Sequence, residues 1–294
     1  MIQFASTKGR NVRRMSDLPI LSYCRPGSVE EVLHALQRRG ARIYAGGTDL
    51  LVALRQRHLS VRTVRVLVDI KGVGEASGIT DIGAEIRIGS LTTATELLAN
   101  PVAKRHARAL VEAAAETSAP QLRARGTVGG NLSSLHPAAD MTTALLALGA
   151  SVELVTASPG ATIRLLPLAE LLARRGARPN GRTFIVAVRV PKCGHSAFEK
   201  LGTRHAFSRS VVAVAVAIRD GLHCVSIGGI GARPFIAGRV STSLDARAAI
   251  TSALETDCRV VVIPGNTNAH CDLAEALIDR ARRRASRSRT RGEA

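Results

Sequence analysis

IYAGGTDLL, residues 43–51, is a short apolar run that stops at two adjacent glycines followed by a threonine and an aspartate. A glycine pair at the end of a strand is either a tight turn or a place where backbone comes against a ligand, because a missing Cβ permits both. Upstream, Ser28-Val-Glu-Glu31 has the form of a capping box, with Val29, Val32, Leu33 and Leu36 on one face and Gly40 as the stop. That pattern predicts a helix. Arg42 to Ala45 reads as a short strand, Leu50 to Arg55 as the start of a second helix, and Val64 to Ile70 as a buried strand.

Residues 17–71 therefore read as a small α/β unit, preceded by a basic flexible extension over 1–16. Gly72 to Gly83 reads as a glycine-punctuated link. Beyond it the patterns predict a strand at Ile86 to Ile88 and helices at Thr92 to Leu98, Val102 to Glu116 and Pro137 to Leu148. Strands at Ser151 to Thr156, Thr183 to Val190 and Ala197 to Leu201 bracket a helix at Leu168 to Arg174. Val211 to Ile218 and Leu222 to Ile227 read as strands joined through Arg219-Asp220-Gly221, a hairpin signal. Helices at Leu244 to Leu254 and Asp272 to Arg284 close the pattern. The divisions expected are 17–71, 72–191 and a C-terminal α+β unit over 192–284, with a basic tail over 285–294.

At 294 residues the chain is long enough to bury a large core, and its 2% aromatic content leaves that core to Val, Ala, Leu and Ile. The longest apolar run, Val211 to Ile218, falls short of the about 20 residues that span a bilayer. No transmembrane helix is expected. The basic residues Lys8, Arg10, Arg13 and Arg14 are not followed by a continuous apolar segment, so a secretory or twin-arginine signal fits poorly and the cytoplasm is the expected compartment. The five cysteines are scattered and never spaced CxxC, which argues against a metal or iron–sulfur site in this chain. A formal charge of +18 points first to nucleic acid, but seven arginines fall between Arg280 and Arg291, the pattern of a solvated tail after a last helix. Aromatic interleaving is missing, so solubility or partner docking is the better reading and no nucleic-acid partner is expected.

A second glycine stretch, RARGTVGGNLSSLHPAAD (residues 123–140), lies between two of the expected helices. Glycines there, as at 46 and 47, free consecutive backbone N–H groups to converge on an anion. Thr48 and Thr127 add hydroxyl donors, and two such loops could grip the two phosphates of a dinucleotide. Neither stretch is GxGxxG or GxxxxGK[ST]. GGIGAR at 228–233 reads as a turn, because Pro234 follows and no amphipathic helix begins there.

AGGTDLL (45–51), GTVGGN (126–131) and PAAD (137–140), in that order, resemble the FAD-binding subunit of molybdenum hydroxylases, the xanthine dehydrogenase and carbon monoxide dehydrogenase type. The likeness extends through YCRPGSVEEVLHAL (23–36), ETSAPQLRARGTVGGN (116–131) and FEKLGTRHAFSRSVVAVAVAI (198–218). It implies an α+β protein: a two-subdomain FAD-binding fold of the vanillyl-alcohol-oxidase (PCMH) type, followed by a C-terminal α+β domain. By the same resemblance, Gly46, Gly47, Thr48 and Asp49 hold the FAD pyrophosphate from one side, with Ala45 and Leu50 beside them as cofactor-binding residues. Thr127, Gly129, Gly130 and Asn131 hold it from the other. Thr117 contacts the cofactor, Asp140 hydrogen-bonds the ribityl or nearby hydroxyls, Ile185 and Phe198 lie near the ring, and Lys200 reaches the cofactor. Asp140 is equally a helix-start charge, Ile185 a core strand residue and Lys200 a surface lysine. His136 is either a contact to the flavin edge or a structural histidine near a helix start. Val262 to Ala281 departs from the family's tyrosine–arginine pattern, which leaves the end of the chain undetermined by the resemblance.

No nucleophile–base motif is visible, so no catalytic residue is assigned and the chemistry belongs to the cofactor. The resemblance implies a flavin oxidoreductase subunit that takes electrons from a [2Fe–2S] small subunit, beside a molybdopterin-binding large subunit. They pass to NAD, a quinone-linked carrier or oxygen. The rival readings are a basic nucleic-acid-binding protein and a flavin-free scaffold of the same complex.

Overall fold

The computed structural model describes residues 22–56, 64–158, 160–173, 182–204, 207–240, 245, 248–252 and 267–287. Three sheets organise them. The first is parallel, with β1 (Ser22–Cys24), β2 (Ala41–Tyr44) and β3 (Val66–Asp69) in the order β1-β3-β2, connected through α1 (Val29–Leu36) and α2 (Leu50–Arg55). β3 is buried at every position, as a central parallel strand reading VLVD demands. Ser28 Oγ accepts the Glu31 N–H at 3.2 Å, while the Glu31 carboxylate accepts the N–H of Gly27, one residue earlier than a standard capping box would have it. Val32 and Leu36 seat α1 in a core shared with Phe184 and Val186 of the second sheet.

That second sheet contains β4 (Ile79–Asp81), β5 (Glu85–Gly89), β6 (Ser151–Thr156), β7 (Arg164–Pro167) and β8 (Thr183–Pro191), antiparallel in the order β4-β5-β8-β6-β7. Between β5 and β6 run α3 (Ala94–Ala99), α4 (Pro101–His106), α5 (Arg108–Glu116), α6 (Pro120–Arg123), α7 (Val128–Ser134) and α8 (Asp140–Ala147), and α9 (Leu168–Ala173) follows β7. The single helix expected over 102–116 is broken at Ala107, with φ −141° and ψ 48°. The break has a partner: the Cys193 N–H donates to the His106 carbonyl at 2.9 Å and Ala107 pairs with Cys193. The second glycine stretch is itself the start of a helix rather than an open loop.

The third sheet is an antiparallel meander of β9 (Ser196–Gly202), β10 (Ser210–Arg219), β11 (Leu222–Gly228) and β12 (Phe235–Val240). Asp220 and Gly221 both have positive φ, 49° and 76°, and form the two-residue turn between β10 and β11 that the sequence predicts. Alternation along β10 sorts its residues by face. Val212, Val214 and Val216 pack with Ala274, Ile278 and Ala281 of the final helix, α10 (Thr267–Arg287). Ala213, Ala215 and Ala217 join the core that holds α5 and α8. Small residues suit the second face because α8, buried at every position, lies close: a Cβ on Gly228 would sit 2.3 Å from Thr143 Oγ1.

α10 runs to Arg287, beyond the expected end at Arg284, and part of the expected solvated run of arginines is engaged. Arg284 donates to Glu199 at 2.5 Å and to Glu112 at 2.6 Å, and Arg280 lies 3.2 Å from Glu199. The expected extension over 1–16 and most of the helix expected over 244–254 lie outside the described residues. Among the described residues no helix is long and apolar enough to cross a membrane.

Glu153 on β6 lies between Arg87 of β5 and Arg189 of β8, at 2.9 and 2.7 Å. Burial alone would raise its pKa, but the hydrogen bonds from Arg87 and Arg189 outweigh burial and hold it below the ordinary glutamate value. A depressed folded-state pKa contributes stability above the unfolded-state value and loses it as pH falls through the folded value. Glu153→Gln is therefore expected to cost roughly 2 kcal/mol at pH 7. The gap from the parent should narrow in urea melts taken below about pH 4, and a gap constant from neutral to acid pH would contradict the assignment.

Candidate functional site

The first glycine stretch leaves the carboxyl end of β2, the edge of a parallel sheet where ligands of open α/β sheets bind. It lies directly on the second stretch. A Cβ on Gly46 would fall 1.9 Å from the Arg125 carbonyl oxygen, so no side chain fits between the two backbones. Gly47 has φ +75°, and a Cβ there would lie 2.4 Å from the Tyr44 ring. Tyr44 is fixed in turn, with the Lys71 ammonium 4.0 Å from its ring centroid and Arg125 Nη2 3.4 Å from its hydroxyl. Thr48 Oγ1 faces Gly126, 3.9 Å from where a Cβ would be.

The N–H groups of Gly46, Gly47, Thr48, Asp49 and Leu50 have no acceptor among the described residues. The left-handed conformation at Gly47 interrupts the extended chain and lets successive N–H groups gather, the geometry of an anion nest. The second stretch is different. Val128 N–H donates to the Thr92 carbonyl at 2.9 Å, Gly129 N–H to the Ser90 carbonyl at 2.8 Å, and Asn131 N–H to the Thr127 carbonyl at 2.9 Å. Gly130 N–H is capped by Thr127 Oγ1 at 3.1 Å. Gly129 is needed for packing, since its Cβ would lie 2.6 Å from the Ser90 Cβ. Around these glycines the Thr127 N–H and the Asn131 amide NH2 have no acceptor among the described residues. The Asn131 Oδ1 is held by Thr142 through N–H and hydroxyl bonds of 3.0 and 2.9 Å.

The remaining expected residues divide. Ala45 and Leu50 are half-buried beside the nest, against the cores of the first sheet. Asp140, at the start of α8, receives Ser210 Oγ at 2.5 Å and Lys200 Nζ at 3.0 Å. Lys200 also donates to the carbonyls of Glu116, at 2.7 Å, and Ser208, at 3.3 Å, so all three of its ammonium protons are engaged. Thr117 ends α5 beside Glu116, and its hydroxyl donates to the Ala113 carbonyl at 2.7 Å. Ile185 and Phe198 are buried in the main core on β8 and β9. Burial pushes the Asp140 carboxyl above the ordinary range, against the pull of the Lys200 charge and the Ser210 hydroxyl.

Reasoning from sequence passed over Tyr44 and Arg125, the two side chains that brace the seam between the stretches. The signal that could have found them is position: each immediately precedes a glycine-containing motif, Tyr44 before AGG and Arg125 before GTVGG.

Residues 15–193 match the family model described as the FAD binding domain in molybdopterin dehydrogenase. The chain is 32% identical to the nicotinate dehydrogenase FAD-subunit of Eubacterium barkeri over 201 residues, 66% of this chain and 67% of that protein. It is 30% identical to the carbon monoxide dehydrogenase medium chain of Afipia carboxidovorans over 212 residues, 69% and 71% of the two. Among solved structures, a chain of carbon monoxide dehydrogenase from Hydrogenophaga pseudoflava has a TM-score of 0.77 at 23% identity, covering 92% of this chain and 98% of that one. That last likeness bears on the fold alone.

The Asp140–Lys200 pair joins the start of α8 to β9, and removing one partner leaves a buried charge unpaired. Lys200→Met is expected to cost about 3–5 kcal/mol at neutral pH. A carboxyl whose folded-state pKa is raised favours the folded state below that value and penalises it as pH rises through it. The Lys200→Met deficit should therefore shrink on acidification in thermal melts. Adding Asp140→Asn should recover part of it. A deficit indifferent to pH and to the second substitution would contradict the pairing.

Proposed function

The chain belongs to the family of FAD-binding domains in molybdopterin dehydrogenases, and from that footing we propose that it is the electron-transferring FAD subunit of a molybdenum hydroxylase complex. FAD binding and membership among flavin oxidoreductase subunits follow from the family. The observation that carries the residue-level reading is the run of N–H groups from Gly46 to Leu50, without acceptors among the described residues and laid against Arg125 and Gly126. A diphosphate fits this donor set: it brings anionic oxygens, and it needs close backbone approach, which Gly46 and Gly47 leave open.

In this reading the Gly46–Leu50 segment and the Thr48 hydroxyl donate to the diphosphate, and the Asn131 amide and Thr127 N–H complete the far side. Gly129 acts by allowing α7 to pack on Ser90, which sets the height of that far side, and Gly130 leaves room for the Thr127 hydroxyl that caps it. Lys200 positions Asp140, and the pair fixes α8 and β9 beside the site without a free donor of its own. Thr117 holds the end of α5 against them. Ile185 and Phe198 supply an apolar wall from the core. The two-part division of the FAD-binding region at residues 17–71 and 72–191, of the PCMH type, with 192–284 as a separate α+β domain, belongs to the same proposal.

When bound, FAD supplies exchange of one or two electrons, which suits a junction between single-electron and two-electron carriers. The partners proposed are a molybdopterin-binding large subunit and a [2Fe–2S] small subunit, with NAD, a quinone-linked carrier or oxygen as acceptor. The similarity to the medium chain of carbon monoxide dehydrogenase and to the FAD-subunit of nicotinate dehydrogenase supports the assignment to such a complex.

The purified chain, alone or after incubation with FAD, is expected to show flavin absorption bands. Gly47→Val, which forces a β-branched residue into a left-handed position against the Tyr44 ring, should abolish FAD retention. A parent chain with no flavin bands after incubation, or a Gly47→Val chain that retains FAD like the parent, would overturn the reading.

A further inference from the structure

His136 and Arg209 present a donor pair that no acceptor among the described residues uses. The Ala138 N–H donates to His136 Nδ1 at 3.0 Å. A neutral imidazole carries one proton, so with Nδ1 accepting, that proton resides on Nε2. Burial first, and then the Arg209 charge, hold the imidazole below its ordinary pKa and keep it neutral. Arg209 Nη1 lies 3.4 Å from the same Nε2. A guanidinium has no acceptor, so two N–H groups face each other with no acceptor between them. Like donors converge in this way around a shared anion.

The His136 ring is held by the Ala138 N–H, and the backbone at Arg209 is held by its neighbour. Leu135, with φ +49°, turns the chain out of α7 into His136, whose N–H is tied to Ser134 Oγ at 3.3 Å. Arg209 is exposed and precedes Ser210, whose hydroxyl is anchored on Asp140. Asp49, the fourth residue of the nest run, is close enough to His136 for its charge to pull the imidazole pKa upward, yet its carboxylate makes no hydrogen bond or ion pair among the described residues. His136 also directly follows Leu135, the C-cap of α7, and the N-cap of that helix, Thr127, adjoins Gly126 on the seam with Gly46, so the donor pair stands at the far end of the short helix that begins at the nest.

We propose that His136 Nε2–H and Arg209 together bind a phosphate oxygen of the cofactor and extend the Gly46–Leu50 nest into a wider diphosphate site. The proposal rests on the FAD reading given above. It assigns Arg209 and His136 an effect on ligands that carry the diphosphate and none on the flavin ring alone.

The test is titration of the full chain, freed of flavin, with FAD and with riboflavin, following quenching of flavin fluorescence. Arg209→Gln is expected to weaken FAD about tenfold or more and to leave riboflavin affinity within about twofold, since a charge-assisted bond to phosphate is lost. Arg209→Lys keeps the charge but not the planar fork and should fall between the two. His136→Phe should weaken FAD in the same selective sense, and excess inorganic pyrophosphate should compete with FAD less well in both variants. Arg209 is exposed, so the two Arg209 variants are expected to melt like the parent. Unchanged FAD affinity in Arg209→Gln and His136→Phe overturns the proposal, and so does an equal loss for FAD and riboflavin. A parent chain that binds neither ligand overturns the FAD reading itself, a separate outcome.

Discussion

The contact on which the site depends is between two backbones. Gly46 lies so close to the carbonyl of Arg125 that any side chain at 46 would part them. That contact joins the edge of a parallel sheet, built from residues near the start of the chain, to the entrance of a helix about 80 residues later. Tyr44 and Lys71 support it from beneath, with the aromatic ring filling the space a Cβ on Gly47 would need. The result is a segment whose N–H groups find no acceptor among the described residues, because neither strand nor helix geometry can use them.

The two glycine stretches look alike and do different work. At 46 and 47 the glycines expose donors; at 129 they permit packing, and the N–H groups around them are already bonded to Ser90, Thr92 and Thr127. The third sheet is tied to this seam from the other side. The Ala face of β10 lets α8 lie close, and Lys200 crosses from β9 to Asp140 at the start of α8. A net charge of +18 suggests free charge everywhere. Here Arg87, Arg189 and Arg284 sit on carboxylates, while Arg209 faces another donor.

The sequence made legible those elements whose physics is local. Ser28 and Glu31 mark α1, the Val/Ala alternation marks β10, and Asp220-Gly221 marks its turn, because caps, pleats and positive-φ positions each demand particular residue types. β1 and β4 span three residues, too few to display an alternation, and β7 is mostly exposed, so none of the three carries a burial pattern and they went unread. The break at Ala107 was illegible for another reason: its cause is Cys193, far along the chain. For the site, the motifs at 45–51 and 126–131 were visible and their meeting is a fact of the fold, but sequence could not separate a donor glycine from a packing glycine. That distinction rests on where Ser90 and Thr92 place their carbonyls.

Hydrogen–deuterium exchange tests the central claim, that the Gly46–Leu50 segment is the donor face of the cofactor site. Amides of residues 46–50 should exchange freely in the chain without flavin and become protected when FAD is added. Amides of 128–131, already bonded, should change much less. Exchange at 46–50 that is slow without FAD, or unaltered by it while FAD binds, would contradict the account.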